Sequence, residues 1–402
     1  MVHLMPAEPG GCVPSTRQTR LLPFFALLAG VAGLAPNSLA QLVPDRLYYG
    51  INRTIPMTVT VPAPAPKPAG TPAEVTSHAH PDRADADQAD QADAAPPVAP
   101  APTTLDVRID LFDPRDENAG PVASAPVIAG PVDLAALFPI LWTSPRPSLR
   151  YAQLVVAGVE VGPPVILQPL LEPPSAVLLN PRTRAVYFND PERDSPNFNA
   201  SEGILRWVSE PPAYSGIRAY VDQHVRFITS AGDIEFRLLP QYAPNTVFNF
   251  RQLIAGGFYT DIPVHRIVNK LPTDGQPFVF QFGDPTGTGA GGPGYTIPLE
   301  PSTLPHDFGV LSMARESEPD TGGSQVFVAL SRQGTTSLDG KYTTFAEAVT
   351  GADTILAIAR TPVLNMRPVK PPMIERAELV DAPPYSKRPP RVTRPIDEPS
   401  SR

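Results

Sequence analysis

Fifty-five of the 402 residues are proline, and that count limits the fold before any other feature is considered. Proline lacks a backbone N–H, clashes with the preceding helical turn and leaves a gap in any sheet ladder it enters. Long helices are therefore excluded over most of the chain, and short strands, edge strands, turns and linkers are expected. Apolar residues make up 42% of the chain, enough for packed cores, and the length points to two folded domains. The expected class is mainly β. A formal net charge of -8 speaks against nucleic acid or an anionic membrane surface as the main partner.

Cys12 is the single cysteine, so the body of the chain has no disulfide framework, thiol nucleophile or cysteine–zinc site. Residues 1–40 read as an export signal: Arg17 and Arg20 precede an apolar run at 21–34, and Ser38, Leu39 and Ala40 form a small-residue cleavage site before Gln41. The competing reading is an uncleaved anchor, for which the run is short. With no later run of that kind, the mature protein is expected outside the cytoplasm, without an integral membrane segment and as a monomer.

Residues 62–102 alternate proline and alanine, pass into Ala-Asp-Gln repeats and return to proline. They hold too little apolar surface to offset ordering and are expected to be disordered. His78 and His80 lie inside, too few to read as a metal site. The insertion interrupts a domain rather than separating two. Ile55, Met57, Val59 and Val61 alternate with polar residues or proline before it, and Leu105, Val107, Ile109 and Leu111 alternate with charged residues after it. Further strands are expected at 151–156, 165–171 and 185–188, and one or two helical turns at 134–142. Residues 41–222 thus read as a β-rich, sandwich-like domain without a catalytic constellation.

From residue 223 the texture changes. A hairpin is expected around Ser230 and Gly232, and a helix at 244–254 with Pro244 at its start and Gly256 and Gly257 past its end. A second helix is expected at 352–359, after a strand at 342–348. Residues 384–402 are charged and proline-rich and read as a frayed tail. Between the helices, from His265 to Tyr342, arginine, glutamine and large apolar residues recur between turn signals. Such a set can build an apolar pocket with one cation and a few amides at its rim, suited to a proline-containing peptide.

Pro244, Asn245, Thr246, Asn249 and Phe250, then His265, Arg266 and Ile267, then Gln281, Phe282, Gly283 and Asp284, carry a specific resemblance. So do the glycine-rich run 287–294, Leu311, Ser312, Met313 and Ala314, then Gly323, Ser324, Gln325 and Phe327, and Leu338, Asp339 and Gly340. In this order the motifs of residues 224–362 resemble the cyclophilins, peptidyl-prolyl cis-trans isomerases built on a closed eight-stranded β-barrel with two capping helices. The resemblance covers about a third of the chain. It implies Arg266, Gln281 and Phe278 as catalytic residues. It also implies Val279, Ala314, Arg315, Gln325, Phe327, Leu338 and Tyr342 as substrate-binding residues, with no cofactor and no metal. Phe278, Val279, Phe327 and Leu338 would form the proline socket, and Ala314, Arg315 and Gln325 the groove for the preceding residues.

Other readings of these residues stand beside that one. Phe280 reads as core, since strand alternation turns Val279 and Gln281 to the other face. His265 reads as a structural histidine bonded within the fold rather than a catalyst. The run 287–294 lacks the following helix with lysine and serine or threonine that a phosphate cradle needs, and reads as a tight turn. Relative to the family, Ser337 replaces tryptophan, Tyr342 histidine, Val279 methionine and Arg315 asparagine, and the 269–277 connection is longer. These changes favour a rival function, a module that binds proline-containing peptides without turnover. A cell-envelope scaffold and self-inhibition by the proline-rich insertion are further alternatives.

Overall fold

A computed structural model of the chain describes residues 40–61, 106–116, 119–172, 174–180, 182, 204–208 and 213–395. The export signal up to residue 39, the insertion at 62–102, the strand expected at 185–188 and residues 396–402 lie outside the described residues. The molecule is mainly β with few helices.

The alternations on either side of the insertion are the strands Pro56–Thr60 and Val107–Phe112. The first joins Gln41–Pro44 and Gly130–Asp133 in a three-stranded antiparallel sheet. The second belongs to a six-stranded sheet, ordered Tyr48–Gly50, Tyr214–Val221, Val159–Leu171, Arg150–Val156, Val107–Phe112 and Ala123–Pro126. Leu42, Met57 and Val59 from the small sheet share one apolar core with Ile109, Leu111, Leu154, Leu167 and Ile217 from the large one. Residues 134–142 hold two single-turn helices, Leu134–Leu137 and Ile140–Thr143.

From residue 223 a nine-stranded antiparallel sheet begins. Its order is Ile262–Pro263, Met373–Asp381, Gln223–Thr229, Gly232–Leu238, Thr344–Ala348, Val310–Met313, Val326–Ala329, Val279–Phe282 and Arg266–Val268. The sheet is curled, and its two end strands, Ile262–Pro263 and Arg266–Val268, are successive pieces of one segment. Inside lie Phe227, Phe236, Phe250, Tyr259, Phe280, Phe282 and Phe345, all fully buried in mainly edge-to-face ring contacts. The helix Pro244–Ala255 starts on proline and buries Val247, Phe250 and Ile254 against this core; Ala352–Ala359 buries Ile355 and Ile358. Met373–Asp381 pairs along the whole of Gln223–Thr229, so the sheet takes in residues beyond 362, where the span of the resemblance ended.

The tail differs from its expectation. Residues 384–395 are ordered and docked rather than frayed. The Tyr385 N–H donates to Gln153 Oε1 at 2.9 Å, and the Tyr385 ring stacks on Phe112 with centroids 4.3 Å apart. Arg388 pairs with Asp222 at 2.9 Å, with both side chains nearly fully buried. Asp222 stands alone between the last strand of the six-stranded sheet and the first strand of the curled one. Composition misled here because the apolar and charged partners of Tyr385 and Arg388 lie far away in sequence. The outer face of Pro244–Ala255 also meets the six-stranded sheet: Arg218 stacks 3.8 Å from the Phe248 ring centroid, and Gln168 Nε2 donates to Asn245 Oδ1 at 3.3 Å.

Candidate active site

Arg266 and Gln281 sit directly opposite each other on adjacent antiparallel strands, and Gln281 in turn faces Phe327. This register follows from alternation. Ile267, Phe280, Phe282, Val326 and Val328 point into the core, which turns Arg266, Val279, Gln281, Phe327 and Ala329 to the opposite face. Phe280 is thus core, as alternation predicts. The long 269–277 connection leaves the hairpin register intact. It is tied within itself, by Leu271 N–H to Gln276 O at 2.8 Å and Gly275 N–H to Leu271 O at 2.9 Å. Phe278 then returns to bond Val268 O at 3.1 Å.

Two lines of contact meet at the Gln281–Phe327 pair. The first is polar. Arg266 Nη1 donates to Gln281 Oε1 at 3.4 Å, and Gln281 Nε2 donates to Gln325 Oε1 at 2.8 Å. Burial lowers the Arg266 pKa from the ordinary guanidinium value, and the nearby Tyr342 acts the other way. The group remains a cation. The second line is aromatic. Phe327 lies between the His306 ring, stacked at 5.7 Å, and the Tyr342 ring, edge-on at 5.7 Å. Arg315 stands over Tyr342 at 4.7 Å, its Nε and Nη2 donating to Lys341 O and its Nη1 to Glu316 O and Ser317 O. Its charge therefore braces two loops instead of standing free in the groove.

Gln281, Gln325, Ala314 and Arg315 line a cleft of about 470 Å³ whose far wall is the glycine-rich run. Val279 is buried opposite Ala329, and half-buried Phe278 precedes it, its carbonyl accepting from Leu330 N–H. Leu338 closes the short 3-10 turn Thr336–Leu338 and accepts the Tyr342 N–H at 3.3 Å; Ser337 is exposed on that turn.

Two histidines lie near the site, one departing from its sequence reading and one that had none. His265 is buried, 8% exposed, but neither ring nitrogen has a hydrogen-bond partner. The expectation that it is bonded within the fold is therefore corrected. Its ring faces Gly289, where a Cβ would lie 3.7 Å from Cδ2 and 3.9 Å from Nε2. Burial lowers its pKa; Asp284 raises it, and Arg367 and Arg266 lower it further. A base with a depressed pKa stabilises the fold above its unfolded value near 6.5 and loses that contribution as pH falls. The melting temperature should therefore drop between pH 7 and pH 5, and drop less in a His265→Phe variant, which has no titrating ring there. Equal slopes in thermal melts of the two proteins would contradict this.

His306 went unnoticed in the sequence. It is fully buried, with Nδ1 2.9 Å from Asp339 Oδ1 and Nε2 3.0 Å from Ser312 Oγ. The order Ser-His-Asp resembles a nucleophilic triad, but Ser312 is itself buried and donates to Thr343 O, so the set supports Phe327 from behind. Burial lowers the His306 pKa, partly offset by Asp339. The sequence signals were its two partners, Ser312 in the motif 311–314 and Asp339 in the Leu338, Asp339, Gly340 motif.

The site thus sets a guanidinium beside an apolar, ring-lined face, with a cleft alongside. Residues 224–379 match the family model described as cyclophilin type peptidyl-prolyl cis-trans isomerase/CLD. Peptidyl-prolyl cis-trans isomerase B of Bacillus subtilis is 43% identical over 122 residues, which cover 30% of this chain and 78% of the relative. A peptidyl-prolyl cis-trans isomerase of Synechococcus elongatus is 41% identical over 133 residues, covering 33% and 83%. A crystal structure of a Cryptosporidium parvum cyclophilin type peptidyl-prolyl cis-trans isomerase is 32% identical, with a TM-score of 0.37, covering 40% of this chain and 99% of that one. The chain belongs to the cyclophilin-type peptidyl-prolyl cis-trans isomerase family.

Proposed function

We propose that residues 223–383 accelerate rotation about X–Pro bonds in exported or unfolded polypeptides, with Arg266 as the group that acts on the reacting bond. Rotation gives up amide resonance and meets a barrier of about 18–20 kcal/mol. In the twisted state the prolyl nitrogen regains a lone pair. A guanidinium that donates to it stabilises that state and not the planar ones, which is the condition for raising kcat. Arginine suits the role through its permanent charge and rigidly arranged donors. Gln281 holds one of those donors and leaves others for substrate. Phe278, Val279, Phe327 and Leu338 form the proline socket, Tyr342 its rim, and the cleft beside Ala314 takes the residues before proline.

The observation that carries this reading is the cross-strand pair of Arg266 and Gln281 beside Phe327. Counting residues 262–268 as one strand turns the curled sheet into a closed eight-stranded barrel, with Pro244–Ala255 and Ala352–Ala359 as its caps. Residues 41–222 then form a sandwich-like module that holds substrate or localises the enzyme. Export by the signal at residues 1–40 and action as a monomer outside the cytoplasm complete the proposal. Among the described residues no helix is long and apolar enough to cross a membrane.

A protease-coupled assay of the full chain on an Ala-Xaa-Pro-Phe peptide tests it. Acceleration of the cis-to-trans phase, saturable in peptide, is expected. Peptide binding with an unaltered phase would select the non-catalytic binding module instead.

A further inference from the structure

A second cavity, of about 310 Å³, opens where the six-stranded sheet meets the start of the helix Pro244–Ala255. Pro147, Leu149 and Leu171 wall it on one side, and Pro240, Tyr242 and Pro301 on the other. Much of the wall thus comes from residues before 222, outside the matched span 224–379. Proline brings no N–H, so these walls present apolar rings and aliphatic side chains and few donors. The charges nearby are engaged or in solvent. Arg115 is mostly exposed and donates through Nε to Asp113 Oδ1 at 2.9 Å, and Glu172 is exposed. Glu300 accepts from Asn245 N–H at 3.1 Å and from Thr246 N–H and Oγ1 at 2.7 Å, so both its oxygens are spent on the helix start. A neutral apolar group fits such a cavity, and an ion does not.

Gln241, in the same wall, supplies the polar complement. Neither its Oε1 nor its Nε2 has a hydrogen-bond partner among the described residues, although both atoms are shielded from solvent. An unpaired buried amide costs free energy, and turning it onto a bound peptide group would gain bonds without breaking any in the protein. Its one acceptor and its NH2 group match the N–H and C=O of an extended backbone. The cavity is also continuous with the cleft that Gln281 and Ala314 line. Asn245 lines the cavity, and Asn249, one helical turn further on, holds the wall of the cleft. Asn249 Nδ2 donates to Gly323 O at 3.0 Å, and its Oδ1 accepts from Tyr295 OH at 2.6 Å. Residues four apart lie on one face of a helix, about 6 Å from each other. Tyr295, 48% exposed, thus lines the cleft at the edge next to this helix.

We propose that the cavity is a distal peptide subsite, which takes a large apolar side chain several residues before the proline whose bond lies at Arg266. The polypeptide runs from the proline socket through the cleft, past Tyr295, to the cavity, where Gln241 bonds its backbone. The proposal rests on the isomerase reading and narrows its substrates to extended polypeptides with exposed apolar residues. It also gives residues 41–222 a part in substrate choice, because they build much of the cavity.

The test uses the full chain and flexible Gly/Ser peptides with one Ala-Pro bond and a single phenylalanine moved stepwise away from it on the N-terminal side. Against the same peptide with serine for phenylalanine, the best spacing should lower KM and peptide Kd about five- to tenfold, with kcat unchanged. That is less than full burial of the ring would give, because the chain must be ordered. Leu171→Trp, which fills the cavity, should remove the preference and leave the rate on an Ala-Xaa-Pro-Phe tetrapeptide within about twofold of wild type. Ser148→Trp, from the neighbouring wall, serves if Leu171→Trp folds poorly. No gain from phenylalanine at any spacing would make the cavity a packing gap and overturn the subsite. A gain that survives both substitutions would place the apolar grip elsewhere and overturn it too. Kd, read by fluorescence anisotropy, keeps the two readings apart. Turnover without the preference fails the subsite alone, whereas the preference in Kd without turnover upholds the subsite and fails the isomerase reading.

Discussion

Arg266→Ala is expected to lower kcat by about 10²-fold or more, while KM changes by no more than about threefold. Loss of one preorganised donor to developing charge costs about 10²–10³ in kcat. Arg266 is placed for such an effect: it is partly buried, pinned through Gln281, and set beside the aromatic face of Phe327. A donor that matters only for the twisted peptide contributes little to ground-state binding, so KM should hold. Arg266→Lys should recover only part of the rate, because an ammonium cannot bond Gln281 and the prolyl nitrogen in the same forked geometry. A parallel fall in affinity and rate would make Arg266 a binding residue.

The largest stability effect is expected at the joint between the two β-rich parts. Arg388→Ala should destabilise the protein by about 3–5 kcal/mol, because it leaves the Asp222 carboxylate buried without a partner. Arg388 also stacks on two rings, 4.1 Å from the Tyr151 centroid and 4.3 Å from Tyr385, so packing is lost with the charge. The pair as a whole should matter less than either half. An Asp222→Asn, Arg388→Met double variant is expected to melt above the Arg388→Ala single variant. Thermal melts or urea titrations of the three proteins check this. A double variant less stable than Arg388→Ala would show that the ion pair itself, and not the orphaned charge, carries the stability.

Much of the curled sheet and its helices could be read from residue order. Pro244 and the glycines at 256 and 257 bracket a helix because proline suits only the first turn and glycine the exit. The alternation through Val279, Phe280, Gln281 and Phe282 fixed which side chains face the core, and with it the face that carries Arg266. These signals are local, so they survive in one dimension. The docked tail was illegible for the opposite reason: Arg388 looks like any charged tail residue until it meets Asp222, 166 positions earlier. His265 misled in another way. It was read as a structural histidine bonded within the fold, but whether a buried ring finds a partner depends on the loop packed against it, here the side-chain-free Gly289.

The most direct test of the central claim is two-dimensional exchange NMR on an X–Pro peptide at equilibrium, with the full chain added in substoichiometric amount. Cis and trans signals of such a peptide interconvert over tens to hundreds of seconds when uncatalysed. Exchange cross-peaks should appear with the wild-type chain and fade with Arg266→Ala at the same bound fraction. Peptide signals that shift on binding, with exchange still at the uncatalysed rate, would contradict the account.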